Sequence, residues 1–164
     1  MRIRFATPDD AELIFGFIEG LAEHVQARDQ VQVTPAQLRG QLAAPHPPFE
    51  CLIGEVDQTP WGFALFYQTY STWTGKPGLW LEDLYVLPAA RGQGFGKALL
   101  AQLAALTCSR GYARLEWSVV AHNHKAFAFY KNLGAQALPD WTIHRVTGHG
   151  LQTLAAQAPE TAVR

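Results

Sequence analysis

A mixed α/β fold, with one central sheet and helices on both its faces, is what this 164-residue sequence predicts. Three observations lead there. The apolar spacing switches along the chain between a period of two, which suits strands, and a period near 3.6, which suits helices. The stretch Trp80–Leu106 runs from a strand through a glycine-rich turn directly into a helix. Finally, 48% hydrophobic residues in a chain of this length supply one well-buried core but not two ordinary domains. The predicted organisation is a single domain over residues 1–155 with a frayed tail at 156–164.

Taken in order, Arg2–Ala6 reads as a short strand. Thr7-Pro8-Asp9-Asp10 is a helix start: a hydroxyl at the cap, proline at the first position and acids in the first turn. The helix that follows, ending near His24, places Leu13, Ile14, Phe17, Ile18 and Leu21 on one face. Thr34-Pro35 opens a second, shorter helix carrying Leu38 and Leu42, closed by Pro45, Pro47 and Pro48. Phe49–Val56 and Trp61–Tyr70 are strands joined by the turn Asp57-Gln58-Thr59-Pro60. Tyr70–Gly78 reads as a polar loop, and Trp80–Leu87 as the next strand, stopped by Pro88. Lys97–Leu106 is an amphipathic helix, ended by Ser109-Arg110-Gly111. Tyr112–Val120 is a strand, Lys125–Leu133 a helix stopped by Gly134, Trp141–Val146 a last strand, and Leu151–Ala156 a final helical turn. The order β-α-α-β-β-β-α-β-α-β makes a mixed sheet.

The turn between Trp80–Leu87 and Lys97–Leu106 is where chemistry is expected. Glycines let the backbone approach a ligand, and the N–H groups of a first helical turn point at negative charge. It is not a P-loop, because Gly96-Lys97 is followed by Ala98 and the position five before Gly96 is Arg91. Nor is it a dinucleotide fingerprint, since Gly94 plus three is Lys97. Any helix can open after a glycine turn, so the motif gains meaning only from its surroundings.

Composition excludes several functions. A net charge of −1 lacks the basic footprint of a nucleic-acid binder. No apolar run approaches a membrane span, and Met1–Asp10 has no apolar leader. Cys51 and Cys108 form no metal or redox motif and read as two buried thiols of a reducing cytoplasm. His122 and His124 lack further ligands nearby, so no metal is expected.

Arg91-Gly92-Gln93-Gly94-Phe95-Gly96 after a strand resembles the pyrophosphate loop of the GNAT acetyl-CoA-dependent N-acetyltransferases. The element order is similar to the GNAT fold as well, in which two central strands splay; here they would be Trp80–Leu87 and Tyr112–Val120. The runs Tyr70-Ser71-Thr72-Trp73-Thr74-Gly75-Lys76, Leu81-Glu82-Asp83-Leu84-Tyr85-Val86 and Phe129-Tyr130-Lys131-Asn132-Leu133-Gly134-Ala135 narrow the resemblance to the diamine (spermidine/spermine) acetyltransferases.

That resemblance implies transfer of acetyl from acetyl-CoA to a primary amine by direct attack in a ternary complex, without a metal. Tyr130 would give a proton to the departing sulfur, and Glu82 would take the proton of the amine. Asp83 is expected as a structural hydrogen-bonding group. The cofactor would meet the backbone of Leu84, Tyr85 and Val86, the loop Arg91, Gly92, Gln93, Gly94, Phe95, Gly96 and Lys97, then Asn123, Lys125 and Tyr130. His24, Trp73, Glu82 and Asp140 would face the amine, and a homodimer is implied. One departure bears on the substrate. The family carries Leu-Ala-x-Tyr-Glu after its first helix, and this chain has Leu21-Ala22-Glu23-His24-Val25. Losing that carboxylate weakens the hold on a long polyamine more than on a small amine or a lysine-like amino acid such as thialysine. A protein N-terminus, an aminoglycoside-type amine or a non-catalytic acyl-CoA sensor are the alternatives.

Overall fold

A computed structural model describes residues 1–159 of the chain. These fall into two compact units, Met1–Asn123 and the chain from His124 onward. The first contains a five-stranded sheet whose spatial order repeats the chain order: β1 (Arg2–Phe5), β2 (Glu50–Val56), β3 (Thr59–Ser71), β4 (Lys76–Val86) and β5 (Leu115–Trp117). β1 to β4 pair antiparallel, whereas β4 and β5 pair parallel. The crossover between these two strands is the helix α3 (Phe95–Ser109), as parallel neighbours require.

Local chemistry accounts for the ends of these elements. Thr7 donates its N–H and hydroxyl to Asp10 Oδ2, at 2.7 and 3.1 Å, which shapes a short 3-10 turn at Pro8–Asp10. That turn leads into α1 (Ala11–His24). Arg4 fixes the same carboxylate from β1 with two bonds of 2.8 Å, and so ties the first strand to the first helix. At α2 (Pro35–Leu42) Thr34 and Gln37 form the reciprocal capping pair, each side chain accepting from the other's N–H. The β2–β3 turn has only two central residues, Asp57 and Gln58. Both have positive φ, 49° and 62°, as a tight hairpin matched to strand twist demands.

Two layers of helix cover the sheet. α1 and α2 close over Cys51, Phe63, Leu65 and Tyr85. Phe17 stacks on Phe63 with centroids 5.3 Å apart and tilts toward Tyr85 at 6.4 Å. Gly20 lets Tyr85 in, for a Cβ there would stand 2.8 Å from the phenol oxygen. α3 lies on the opposite face, where the ring of Phe95 fills the space beside Gly54 and Ile3. Its Leu99 and Leu103 are fully buried.

Three sequence expectations are corrected here. Tyr70–Gly78 is not a long loop: β3 runs to Ser71 and β4 starts at Lys76, because cross-strand pairs such as Thr69↔Gly78 and Tyr70↔Pro77 extend the hairpin. The strand expected at Tyr112–Val120 shrinks to Leu115–Trp117, the three residues that find a partner on β4. Trp141–Val146, rich in strand-forming residues, does not enter the described sheet. Strand propensity is realised only against a neighbouring edge. The second unit holds α4 (His124–Asn132) and α5 (Gly148–Ala155). Of the expected tail, residues 160–164 lie outside the described residues.

Candidate active site

The site is built on β4. Its register against β3 steps from Leu81↔Phe66 to Asp83↔Leu65, so Glu82 has no residue opposite it. Glu82 is therefore the extra residue of a bulge. Without it, Glu82 and Asp83 would point to opposite faces of the sheet. With it, both carboxylates turn to the α1–α2 face. Asp83 lies in the row Cys51–Leu65–Asp83, whose first two members belong to the core under those helices. Glu82 is joined there to Trp80, two residues back on its strand, and to Tyr67, which stands opposite Trp80.

The two acids differ in surroundings. Glu82 is exposed, and its Oε2 accepts the Trp80 indole N–H at 2.9 Å and the Tyr67 hydroxyl at 3.4 Å. Asp83 is half-buried and its carboxylate accepts no hydrogen bond from another described residue, which corrects the expectation that it serves as a structural hydrogen-bonding group. Burial, and behind it the charge of Glu82, pushes the Asp83 carboxyl up to about 6. A carboxyl at that level takes and returns a proton near neutral pH. Burial and then Glu82 likewise push the Tyr67 phenol up, which keeps it a donor.

Beyond the bulge the outer edge of β4 is open. The last pair with β5 is Leu81↔Trp117, and β4 continues through Leu84, Tyr85 and Val86 with no β5 partner among the described residues. Backbone amides of such an edge can pair with an extended amide ligand. The chain then turns through Arg91–Gly94 into α3. Gly92 and Gly94 have φ of +77° and +90°, a region costly for residues with a Cβ. Gly94 is the cap residue of α3, so no cap side chain competes for the N–H groups of Phe95, Gly96 and Lys97. Phe95 is buried by its side chain and offers only its backbone, while Lys97 is exposed. The Gln93 amide braces the turn on the Ala89 carbonyl at 2.9 Å. Arg91 folds back, donating Nε–H to the Val86 carbonyl at 3.1 Å with its guanidinium 5.5 Å from the Tyr85 ring centroid. A cradle of N–H groups and two cations suits a diphosphate.

The remaining expected residues lie on other elements of the two units. His24 ends α1 and is exposed. Trp73 sits on the β3–β4 turn, 86% exposed, about 20 Å of strand away from Glu82, so the structure does not bring these two together. Asn123 ends the first unit in a turn, its N–H bonded to the Val120 carbonyl at 2.8 Å. In the second unit Lys125 and Asp140 are exposed, whereas Tyr130 on α4 is half-buried beside Phe129, with ring centroids 5.2 Å apart. Burial pushes the Tyr130 phenol up, which keeps it protonated. Sequence reading missed Trp80 and Tyr67; the i, i+2 spacing of Trp80 and Glu82 was the available signal.

An anion cradle at a helix N-terminus, next to an open strand edge and a pair of acids, defines a class of enzyme. It grips a phosphate-bearing carrier and works on the group that the carrier presents. Comparison with known proteins makes the class specific. The model of the acetyltransferase (GNAT) family matches residues 17–135. The chain belongs to that family and is an acetyl-transferring enzyme; GNAT acetyltransferases use acetyl-CoA. It is 35% identical to a thialysine N-epsilon-acetyltransferase of Mus musculus, over 95% of this chain and 98% of the relative. A thialysine N-epsilon-acetyltransferase of Caenorhabditis elegans is 36% identical, over 91% and 93%. Among solved structures, an integron cassette protein of V. cholerae superposes with a TM-score of 0.77 at 24% identity, covering 94% of this chain and 96% of that one. That likeness speaks for the fold alone. No described helix is long and apolar enough to cross a membrane, and no group of three or more potential metal ligands occurs among the described residues.

Proposed function

We propose that the protein acetylates the primary amine of a small cationic molecule, a lysine-like amino acid such as thialysine or a short diamine. The observation that carries this is the acid pair Glu82–Asp83, turned to one face by the bulge at the point where β5 leaves β4. Two carboxylates attract an ammonium group and take its proton. The names of the relatives point the same way. His24 and Val25, where the diamine enzymes carry Tyr and Glu, favour a short acceptor over a long polyamine.

In this reading the loop Arg91–Lys97 and the first turn of α3 hold the diphosphate of acetyl-CoA, and the β4 edge at Leu84–Val86 pairs with its amide arm. Asn123 and Lys125 meet its far part. The ammonium group loses one proton to the acid pair, with Glu82 as the exposed member. The freed nitrogen forms a bond to the acetyl carbon while a β4 backbone N–H stabilises the oxyanion. The carbon–sulfur bond then breaks, and Tyr130 delivers its proton to the sulfur. A second proton, lost by nitrogen, balances that delivery, so the products are an acetamide, a thiol and one released proton. Neither cysteine takes part: Cys51 is buried with its thiol pushed up by burial, and Cys108, exposed where a buried thiol was expected, lies in the last turn of α3, at the opposite end from the turn that faces the diphosphate. Trp73 and Asp140 contribute to the acceptor site in a homodimer.

Thiol release from acetyl-CoA over a panel of thialysine, lysine, ornithine, putrescine, spermidine and a short peptide tests the proposal. Saturation at low concentration by thialysine or another short diamino compound is expected. A preference for spermidine or the peptide would overturn the acceptor class.

A further inference from the structure

We propose that Trp80 is a positioning residue that aims the Glu82 carboxylate at the acceptor amine, with Tyr67 in a lesser supporting role. The inference rests on the reading of Glu82 given above and adds what holds that side chain in place. An exposed glutamate on a strand is free to sample several rotamers, and a carboxylate that must meet an amine at hydrogen-bond distance cannot remain so. Here two donors converge on one oxygen. The Trp80 indole N–H reaches Oε2 at 2.9 Å, a good length for a bond to a charged acceptor. The Tyr67 hydroxyl reaches the same atom at 3.4 Å, too long to be a strong bond. Oε1 accepts from no protein group among the described residues and is left for the substrate.

The geometry also explains why Trp80 can perform this task. Its backbone is locked on both sides, paired with Tyr67 on β3 and with Glu116 on β5, in the second of the three rows where β5 is still attached. The indole therefore stands on a row of β4 that is paired on both sides, while Glu82 occupies the bulge immediately past the last β5 pair. The paired row supplies the direction and the bulge supplies the acid. The other charged groups nearby do not compete for the indole: Glu116 is paired with Arg114 at 2.6 Å, and the Asp83 carboxylate accepts no hydrogen bond from another described residue.

The test is a double-mutant cycle on the full chain, using acetyl-CoA and the best acceptor of the amine panel. Glu82→Gln is expected to lower kcat by about 100-fold, in the range for a lost proton acceptor. Trp80→Phe, which keeps the ring and removes the donor, should lower kcat by about 10-fold in the otherwise native chain. In the Glu82→Gln background it should have little further effect, because the two act as one unit. Tyr67→Phe should lower kcat by less than Trp80→Phe. Trp80→His, which keeps an N–H, should recover part of the lost rate. The dissociation constant for acetyl-CoA should stay within about twofold throughout, and thermal melts check that each variant folds. Equal losses from Trp80→Phe in both backgrounds, with acetyl-CoA binding unchanged, would overturn the positioning role while leaving the Glu82 reading intact. An unaffected Glu82→Gln enzyme would overturn both. Should Trp80→Phe fail to fold, Tyr67→Phe and Trp80→His complete the same cycle. Tyr67→Phe losses that persist in Glu82→Gln, without recovery in Trp80→His relative to Trp80→Ala, would be the refuting result.

Discussion

Asp83 is a carboxyl that the fold keeps partly dry, and replacing it by asparagine turns that statement into a curve. Burial, and then the neighbouring charge of Glu82, raises its pKa from 3.8 to about 6. The folded state therefore binds a proton more tightly than the unfolded chain does. Stability linked to that proton is fully present below about pH 4 and is lost as pH rises through about 6. At 1.36 kcal/mol per pKa unit, the charged form costs about 3 kcal/mol above pH 7, a sizeable share of the ~5–15 kcal/mol that holds a domain. Asp83→Asn keeps the shape and removes the charge. Urea unfolding of both proteins from pH 3.5 to 8 should give curves that nearly coincide at the acid end. They should separate steadily above pH 4, with the variant more stable by about 3 kcal/mol at pH 7.5, or roughly 6–12 °C in Tm. A separation that does not change with pH would refute the reasoning, since a packing effect alone has no reason to follow a titration.

Asp10 predicts the opposite slope. Its bonds from Arg4, opposed in part by burial, hold its carboxyl down to about 2. The stability it contributes is thus present above about pH 4 and is lost as pH falls toward 2; Asp10→Asn should destabilise the neutral protein by about 2 kcal/mol, and denaturant midpoints should show a flatter acid limb. Gly94→Ala places a Cβ at φ +90° on the cap of α3; it should destabilise by about 1–2 kcal/mol and raise the dissociation constant for coenzyme A in calorimetry, with turnover recovering at high acetyl-CoA. Tyr130→Phe should lower kcat by about 100-fold and leave that constant unchanged; steady-state kinetics together with binding calorimetry separate the two effects.

The parts of this fold that local chemistry determines were legible in the chain. Thr7-Pro8 and Thr34-Pro35 announced two helix starts, and Ser109-Arg110-Gly111 a helix end, because caps and prolines act within a few residues. The glycine turn Arg91–Gly96 was legible for the same reason, since only glycine takes positive φ without strain where Gly92 and Gly94 stand. What failed was non-local. The β3–β4 hairpin is longer than its polar residues suggested because pairs such as Tyr70↔Pro77 support it from across the sheet. Trp141–Val146 has the composition of a strand and does not enter the described sheet.

The acid pair sits on the border between these two kinds of information. Two adjacent charged residues in an apolar strand already demand an explanation, because strict alternation would bury one of them under a helix layer. The sequence contains both acids but not the register, and the register decides their role. With Leu65 opposite Asp83 and Phe66 opposite Leu81, one residue of β4 must be surplus, and that residue is Glu82. The bulge removes the conflict by turning both acids to one face, at the row where β5 has ended. It also explains their unequal characters. Asp83 keeps a place in the regular pleat, next to the core, and loses solvation, so its carboxyl rises toward neutral pH. Glu82, displaced outward, stays in solvent and takes its direction from Trp80. One irregularity of register thus makes two chemically different carboxylates out of neighbours in the sequence, and it is the strand pairing, rather than either residue by itself, that makes them a site.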